Sequence, residues 1–203
     1  MRIEGLPGLA VLVSFGALGV LATLRIAMLA RRRINVLPID RERRPTQVLI
    51  DLCFALSFVT LAYVAVAWAL GYARALPEAW VRGGSPAAVQ GVGVAVLVAA
   101  LVLYGAALRA MGESWRFTID REKPGKLVTG GVFAYSRNPI YVSLALFAVG
   151  LALVVGVVAT ALTAIIVVGY FPFLIRREER FLRSRYGAAY EDYCKRVGRY
   201  WTF

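Results

Sequence analysis

Six consecutive residues, Ser136-Arg137-Asn138-Pro139-Ile140-Tyr141, carry the clearest signs of a ligand site in this sequence. Asparagine before proline, directly ahead of a long apolar run, predicts an N-cap followed by proline at the first helical position. The first turn of such a helix presents backbone N–H groups without intrahelical acceptors, at the positive end of the helix dipole. Arg137 adds a positive charge, so the segment is suited to an anion. A plain helix start, with an arginine reaching toward lipid head groups, fits the same residues.

A pair of acids, Glu178 and Glu179, lies near the end of a later apolar run, within the stretch Arg176–Arg180. Acids are unfavourable near a helix C-terminus because the helix dipole favours cations there. A functional role would explain the two acids. Pairing with arginines one turn away on the same helix would explain them equally well.

Two further polar segments are open to more than one interpretation. The tail from Tyr186 to Tyr200 interleaves aromatic residues with cations, which suits either an amphipathic segment at the membrane surface or a cover over a site. Trp115, Arg116 and Asp120 lie before the anion-suited segment and fit either cofactor contact or the head-group region.

The chain contains no histidine, which removes the usual general base and the usual metal ligand. Cys53 and Cys194 have no partner at metal-ligand spacing, so no metal site is expected. The net charge is +12, but the basic residues flank apolar runs. Such flanks are typical of cytoplasmic loops and of contact with anionic lipids, so nucleic acid is not an expected partner.

The elements that must position these residues are membrane helices. Of the 203 residues, 60% are hydrophobic, above the 45–50% or so of ordinary globular chains. The apolar residues are concentrated in four long runs, Leu6–Leu29, Val48–Tyr72, Pro86–Met111 and Ile140–Ile175.

The fourth run must contain two helices. Its 36 residues hold no charge and would span about 54 Å as one helix, against a hydrocarbon core of about 30 Å. A tight hairpin turning near Gly150–Gly156 resolves the mismatch. The sequence therefore predicts an all-α, polytopic membrane bundle of five transmembrane helices, the last two forming the hairpin.

Charge alternation sets the predicted orientation. The Lys and Arg residues number six in segment 31–47, two in segment 73–85, six in segment 109–139 and eight in the tail from residue 176. Basic connections lie on the cytoplasmic side, so the N-terminus is predicted outside and the C-terminus inside. Residues 1–111 form the first three helices, and residues 112–203 form the cofactor-binding loop, the hairpin and the tail of one integrated domain.

Three ordered motifs resemble the isoprenylcysteine carboxyl methyltransferase family, and parts of them also resemble the related phospholipid methyltransferases. They are Lys126–Tyr141 (KLVTGGVFAYSRNPIY), the Glu178-Glu179 pair, and Tyr186-Gly187 followed by Tyr190 and Tyr193. The resemblance covers about Gly112 to Tyr200.

This resemblance implies S-adenosylmethionine as the methyl donor, bound in a pocket at the cytoplasmic face. The positions that match the family's donor-binding residues are Gly125, Lys126, Leu127, Val128, Phe133, Asn138, Pro139, Ile140, Tyr141 and Glu178. Tyr135 and Glu179 complete the candidate cofactor site. The candidate catalytic residues are Glu178, Arg176 and Arg137.

Two positions depart from the family pattern. Asn138 stands where the family usually has histidine, and Leu174 stands where the prenylcysteine enzymes carry an arginine for the substrate carboxylate. Leu174 lies one helical turn before Glu178, so the two side chains share a face, and the resemblance implies that this face looks toward the transferred methyl group and the substrate. A leucine offers an apolar wall, which favours an acceptor that is neutral, amine-like or a thiol at its reacting end and disfavours a prenylcysteine carboxylate.

The sequence thus predicts an S-adenosylmethionine-dependent methyltransferase, integral to the inner or plasma membrane, with a lipophilic or amphiphilic acceptor such as a lipid amine, thiol or carboxylate. Membrane lipid is the other expected partner. A membrane NADPH-dependent reductase of steroid-reductase-like architecture is one alternative, although the Pro-Asn-Tyr motif and tail histidines typical of those enzymes are missing. A non-catalytic membrane bundle is the other; the absence of Asp, Glu, Lys, Arg and His between Tyr141 and Ile175 argues against an ion path through it.

Overall fold

The computed structural model describes residues 4–34, 45–72, 76–114 and 125–201, except for the side chains of residues 45–47. Trp115, Arg116 and Asp120, and most of the first basic loop, lie outside these ranges. Within them the chain forms helices α1 (Gly5–Arg31), α2 (Pro45–Ala69), α3 (Glu78–Val81), α4 (Ala87–Met111), α5 (Pro139–Val155), α6 (Val158–Tyr186) and α7 (Ala188–Arg196). Two short 3₁₀ turns, Gly112–Ser114 and Gly131–Ala134, also lie within the described ranges.

The predicted fold class is confirmed. In the part of the chain that the structure describes, four helices are long and apolar enough to cross a membrane, namely Gly5–Arg31, Val48–Ala69, Ala87–Ser114 and Val158–Tyr186. The fifth apolar helix, Pro139–Val155, has 17 residues. The number of spans and their orientation stay predictions.

The predicted hairpin is confirmed between α5 and α6, where the turn consists of Gly156 and Val157. Gly156 has φ +68°, a left-handed C-cap conformation that favours glycine. A Cβ atom at this position would lie 2.3 Å from the backbone nitrogen of Ser85. The loop before α4 therefore packs directly on the turn, and the amide of Val158 donates to the carbonyl of Arg82 at 3.0 Å.

Small residues allow α4 and α5 to pack closely. A Cβ at Gly93 would lie 2.8 Å from the backbone nitrogen of Val154, and one at Gly150 would lie 2.9 Å from the side chain of Leu97. Close backbone approach at small residues is how membrane helices gain packing energy without a hydrophobic driving force. Leu97 and Phe147 are buried at this interface, whereas apolar side chains on the outer surface, such as Val102, are widely exposed, as contact with lipid requires.

The connection from α4 into the first motif, residues 126–141, which we call the motif segment, is anchored at one end of the bundle. On α1, Arg25 donates to the carbonyl of Gly112, and Arg32 pairs with Glu113. Ser114 Oγ then donates to the carbonyl of Lys126 at 3.0 Å and accepts from its amide at 3.1 Å. These contacts bring residues 125–126 to the end of the bundle where α4 finishes and α5 begins.

Candidate active site

A cavity of about 560 Å³ lies at the end of the bundle where α4 finishes and α5 begins. Its wall combines the first part of α2, the end of α4, the motif segment with the start of α5, and the end of α6 with the tail. The cavity therefore brings together the two polar segments that the sequence singles out, residues 126–141 and the region around residue 178.

Tail tyrosines hold the motif segment in place. Tyr193 Oη donates to the carbonyl of Phe133 at 2.6 Å, and Tyr186 Oη donates to the carbonyl of Gly125 at 3.0 Å. Burial raises the pKa of Tyr193 to about 12, which keeps its hydroxyl protonated as a donor. Tyr190 and Tyr193 are buried against Leu127, so this part of the tail is a cover over the site.

Helix α5 begins as predicted, with Asn138 at the N-cap and Pro139 at the first helical position. The Asn138 side chain makes no capping hydrogen bond; its Nδ2 donates to the carbonyl of Arg199 at 2.9 Å. The amide of Arg137 likewise donates to the carbonyl of Gly198 at 3.1 Å. The Asn138 side chain therefore connects the tail to the motif segment and does not cap α5. The backbone N–H groups in the first turn of α5 can instead donate to a ligand.

The two neighbouring acids have different surroundings. Glu178 is half-buried in the cavity wall and accepts a hydrogen bond from the hydroxyl of Tyr141. Glu179 has only 1% of its side chain exposed and is absent from the cavity lining. Its carboxylate accepts from Arg199 at 2.8 Å (Nη2) and 3.1 Å (Nε), and lies 3.3 Å from Arg137 Nη2. The hydrogen-bond partners of both acids come from other segments, although Arg183, one turn further along α6, also interacts electrostatically with Glu179.

Arg137 lies between this ion pair and the cavity. Its side chain is 11% exposed and contributes to the lining, while one Nη atom is directed to Glu179. Its Nε is buried and has no hydrogen-bond partner among the residues that the structure describes. A buried donor without an acceptor is costly, and an anionic ligand group would satisfy it.

Eleven of the predicted site residues line the cavity, namely Lys126, Leu127, Val128, Phe133, Arg137, Asn138, Pro139, Ile140, Tyr141, Leu174 and Glu178. Four do not, namely Gly125, Tyr135, Arg176 and Glu179. Gly125 contributes a carbonyl to Tyr186, while Tyr135 is exposed and its ring stacks at 6.4 Å on that of Trp201.

Two of the predicted site residues lie away from the cavity lining. Arg176 is exposed on α6 and is not part of the cavity wall, whereas the next residue, Arg177, lines it. Glu179 forms an ion pair with Arg137 and Arg199 behind the wall. The catalytic role of Arg176 and the cofactor contact of Glu179 stay predictions.

The sequence interpretation missed the contribution of α2. Asp51, Phe54 and Ala55 line the cavity, and the Asp51 carboxylate accepts from Tyr170 Oη at 2.8 Å and lies 3.3 Å from Arg177 Nη1. A carboxylate inside an apolar run is expensive in a membrane and marks a functional position. The occurrence of Asp51 within an apolar run was therefore the sequence signal from which this contribution could have been predicted.

Within the described residues, no group of three or more His, Cys, Asp or Glu could hold a metal ion.

The fold and the site define a polytopic helical membrane protein. At one end of its bundle it has a cavity with a polar wall suited to an anion and an apolar wall.

Comparisons with known proteins identify its relatives. Residues 89–189 match the family model for phospholipid methyltransferases. A protein-S-isoprenylcysteine O-methyltransferase of Schizosaccharomyces pombe is 35% identical over 98 residues, which cover 47% of this chain and 42% of the relative. The cobalt-zinc-cadmium resistance protein CzcN of Cupriavidus metallidurans is 32% identical over 53% of this chain and 50% of its own.

A solved structure agrees in fold. The eukaryotic intramembrane Ras methyltransferase, an isoprenylcysteine carboxyl methyltransferase, superposes with a TM-score of 0.58 at 20% identity, covering 96% of this chain and 67% of that one. The chain spans about half the length of the curated relatives it matches. The resemblance to membrane methyltransferases of the isoprenylcysteine carboxyl methyltransferase and phospholipid methyltransferase type is confirmed.

Proposed function

We propose that this protein is an S-adenosylmethionine-dependent methyltransferase that modifies a lipophilic or amphiphilic acceptor at the cytoplasmic face of the cell membrane. The observation that carries the proposal is the buried Nε of Arg137, which has no partner within the described part of the chain and lies in the wall of a cavity that is otherwise largely apolar. That combination suits a ligand with a carboxylate at one end and a reaction that takes place beside apolar surface.

The residues of the polar wall fit the donor. Its carboxylate would bind Arg137 together with the N–H groups at the start of α5, where the helix dipole is positive. Its positively charged ammonium and sulfonium groups would be balanced by Glu178, whose carboxylate is held by Tyr141. Its adenosyl group would contact the apolar and aromatic side chains of the motif segment.

When bound, S-adenosylmethionine would supply an electrophilic methyl group: the acceptor atom would bond to the methyl carbon in line with the carbon–sulfur bond, which would break and release S-adenosylhomocysteine. Such a transfer needs alignment and exclusion of water more than a proton-transfer residue, so the absence of histidine is no obstacle. Here Tyr190 and Tyr193 cover the polar wall and exclude water. Phe54, Phe171 and Leu174 form the apolar wall along which an acceptor chain would lie.

The acceptor class follows from the apolar wall. Leu174 offers no donor to a carboxylate, and desolvation of an unpaired carboxylate is costly. We therefore propose an acceptor whose reacting end is neutral, amine-like or a thiol.

Calorimetry on the purified full chain in lipid nanodiscs tests the cofactor. Binding of S-adenosylmethionine and S-adenosylhomocysteine is expected, without binding of NADPH. Arg137→Gln should weaken donor binding at least tenfold, while Arg185→Gln, the same change at an exposed arginine of α6, should not. NADPH binding without any response to the methyl donor would refute the proposal and favour a reductase.

A further inference from the structure

Tyr104 of α4 is a polar residue of the cavity wall that the proposed donor site does not use. It is 6% exposed and lines the cavity. Its hydroxyl makes no hydrogen bond to any residue that the structure describes. A buried tyrosine hydroxyl usually has a hydrogen-bond partner, and burial without one is unfavourable. The hydroxyl of Tyr104 is therefore available to a polar group of a ligand.

Tyr104 lies far from the polar end of the cavity. It precedes Met111, which also lines the cavity, by about two helical turns, so it lies about 10 Å deeper in the bundle along α4. Phe171 precedes Glu178 by a similar distance on α6. Leu144 packs against both the cluster that contains Tyr104 and the cluster that contains Phe171. These three residues, Tyr104, Leu144 and Phe171, form what we call the deep end of the cavity.

The chemistry of the deep end selects the kind of group that can pair with this hydroxyl. Leu144 and Phe171 are apolar, so an ionised ligand group placed among these three residues would be buried without a counterion, which is costly. A neutral carbonyl oxygen accepts a hydrogen bond from a phenol and brings no charge. A few polar groups placed in a mainly apolar wall are what gives a ligand pocket its specificity.

We propose that Tyr104 is a specificity-determining residue, whose hydroxyl donates a hydrogen bond to a neutral carbonyl oxygen within the lipophilic part of the acceptor. The inference rests on the proposed function in that it assigns the apolar part of the cavity to the acceptor chain. The acceptor then belongs to the lipids that carry a ketone, ester or amide group along the chain. A plain hydrocarbon chain in the same place would leave the buried hydroxyl without a partner.

Neutral probes measure this preference separately from the carboxylate site at Arg137. Long-chain ketones of one length, with the carbonyl near an end or in the middle, and the matching alkane displace a pyrene-labelled alkane from the full chain in nanodiscs that lack the donor. Empty nanodiscs give the reference for partitioning into lipid. The best-placed ketone should bind the wild-type protein about three- to tenfold more tightly than the alkane, as expected for one net hydrogen bond. Tyr104→Phe should remove this gain.

Two controls assign the gain to the hydroxyl of Tyr104. Tyr63→Phe, the same change at a tyrosine of α2 that is 58% exposed, should leave the gain unchanged. Tyr104→Phe should not lower the melting temperature of the ligand-free protein, because the hydroxyl has no partner to lose in the described part of the chain. A ketone that is held by Arg137 would keep its gain in Tyr104→Phe, so the variant distinguishes the two donors.

A gain that persists in Tyr104→Phe would overturn the inference, as would equal binding of every ketone and the alkane to the wild-type protein. A clear fall in the melting temperature of Tyr104→Phe would also overturn it, since the hydroxyl would then have a partner within the protein. These measurements need neither the donor nor methyl transfer. Failure to bind S-adenosylmethionine would therefore count against the proposed function and leave the carbonyl preference of Tyr104 standing.

Discussion

Glu178 and Glu179 are adjacent in sequence, and replacing each by glutamine should have different consequences. Glu178 lines the cavity and Glu179 is buried in an ion pair behind it. Glutamine is close in shape to glutamate and removes only the charge. The two variants therefore separate a role in donor binding from a role in holding the tail.

For Glu178→Gln, we expect a loss in donor binding with little loss in stability. A contact between a carboxylate and a cationic ligand contributes about 1–3 kcal/mol, which corresponds to roughly 5- to 150-fold in Kd. The hydroxyl of Tyr141 can still donate to the amide oxygen of glutamine. The melting temperature should therefore stay close to that of the wild type.

For Glu179→Gln, we expect the main loss in stability. The carboxylate is 1% exposed and holds Arg137, which is 11% exposed, and Arg199, which is 36% exposed. Breaking a fully buried pair costs about 3–5 kcal/mol. Because Arg199 is partly exposed and can be solvated again, we expect the free energy of docking the tail to fall by about 2–3 kcal/mol. The effect on donor binding should be smaller and should act through the orientation of Arg137.

Two measurements on each variant decide the question: calorimetry with S-adenosylhomocysteine, and thermal unfolding in micelles. A protease that cleaves after arginine detects undocking of the tail directly. The rate of cleavage at the tail arginines should increase only for Glu179→Gln. Glu191→Gln, which changes an exposed acid paired with Arg183, is the matched control. Equal effects of the two variants on binding and stability would refute this reasoning, as would abolished binding in Glu179→Gln with an unchanged melting temperature.

Three further predictions concern topology, pH and the hairpin turn. Single cysteines at Arg41 and Ser85, in a background without the native cysteines, should label from opposite sides of the membrane; labelling of both from outside intact cells would contradict five spans. Tyr193 has a folded-state pKa of about 12, above its ordinary value of about 10, so its contribution to tail stability should be complete below about pH 10 and decline between about pH 10 and 12. Proteolysis across this range should show the decline, and Tyr193→Phe should remove it. Gly156→Val should lower the melting temperature clearly, because the turn is left-handed and a Cβ added at this position would clash with the backbone of Ser85.

The five apolar helices and the start of the motif segment's helix could be predicted from local sequence alone. A run of 36 uncharged residues is too long for one span, and glycine near its middle indicates the turn, so the hairpin follows from length and composition. Asn138 followed by Pro139 likewise predicts where α5 begins. These are local properties, set by the chemistry of neighbouring residues.

Only the tertiary structure decided which faces of the helices meet. Asp51 and Tyr170 are 119 positions apart, and Glu179 and Arg199 are 20 apart, so neither contact has a local signature. Arg176 and Arg177 are equivalent in composition, yet only Arg177 faces the cavity. The physical reason is that a membrane helix is apolar on its lipid-facing and core-facing sides alike. Hydrophobic patterning therefore defines the span but leaves the rotation of the helix about its axis to the packing of its neighbours.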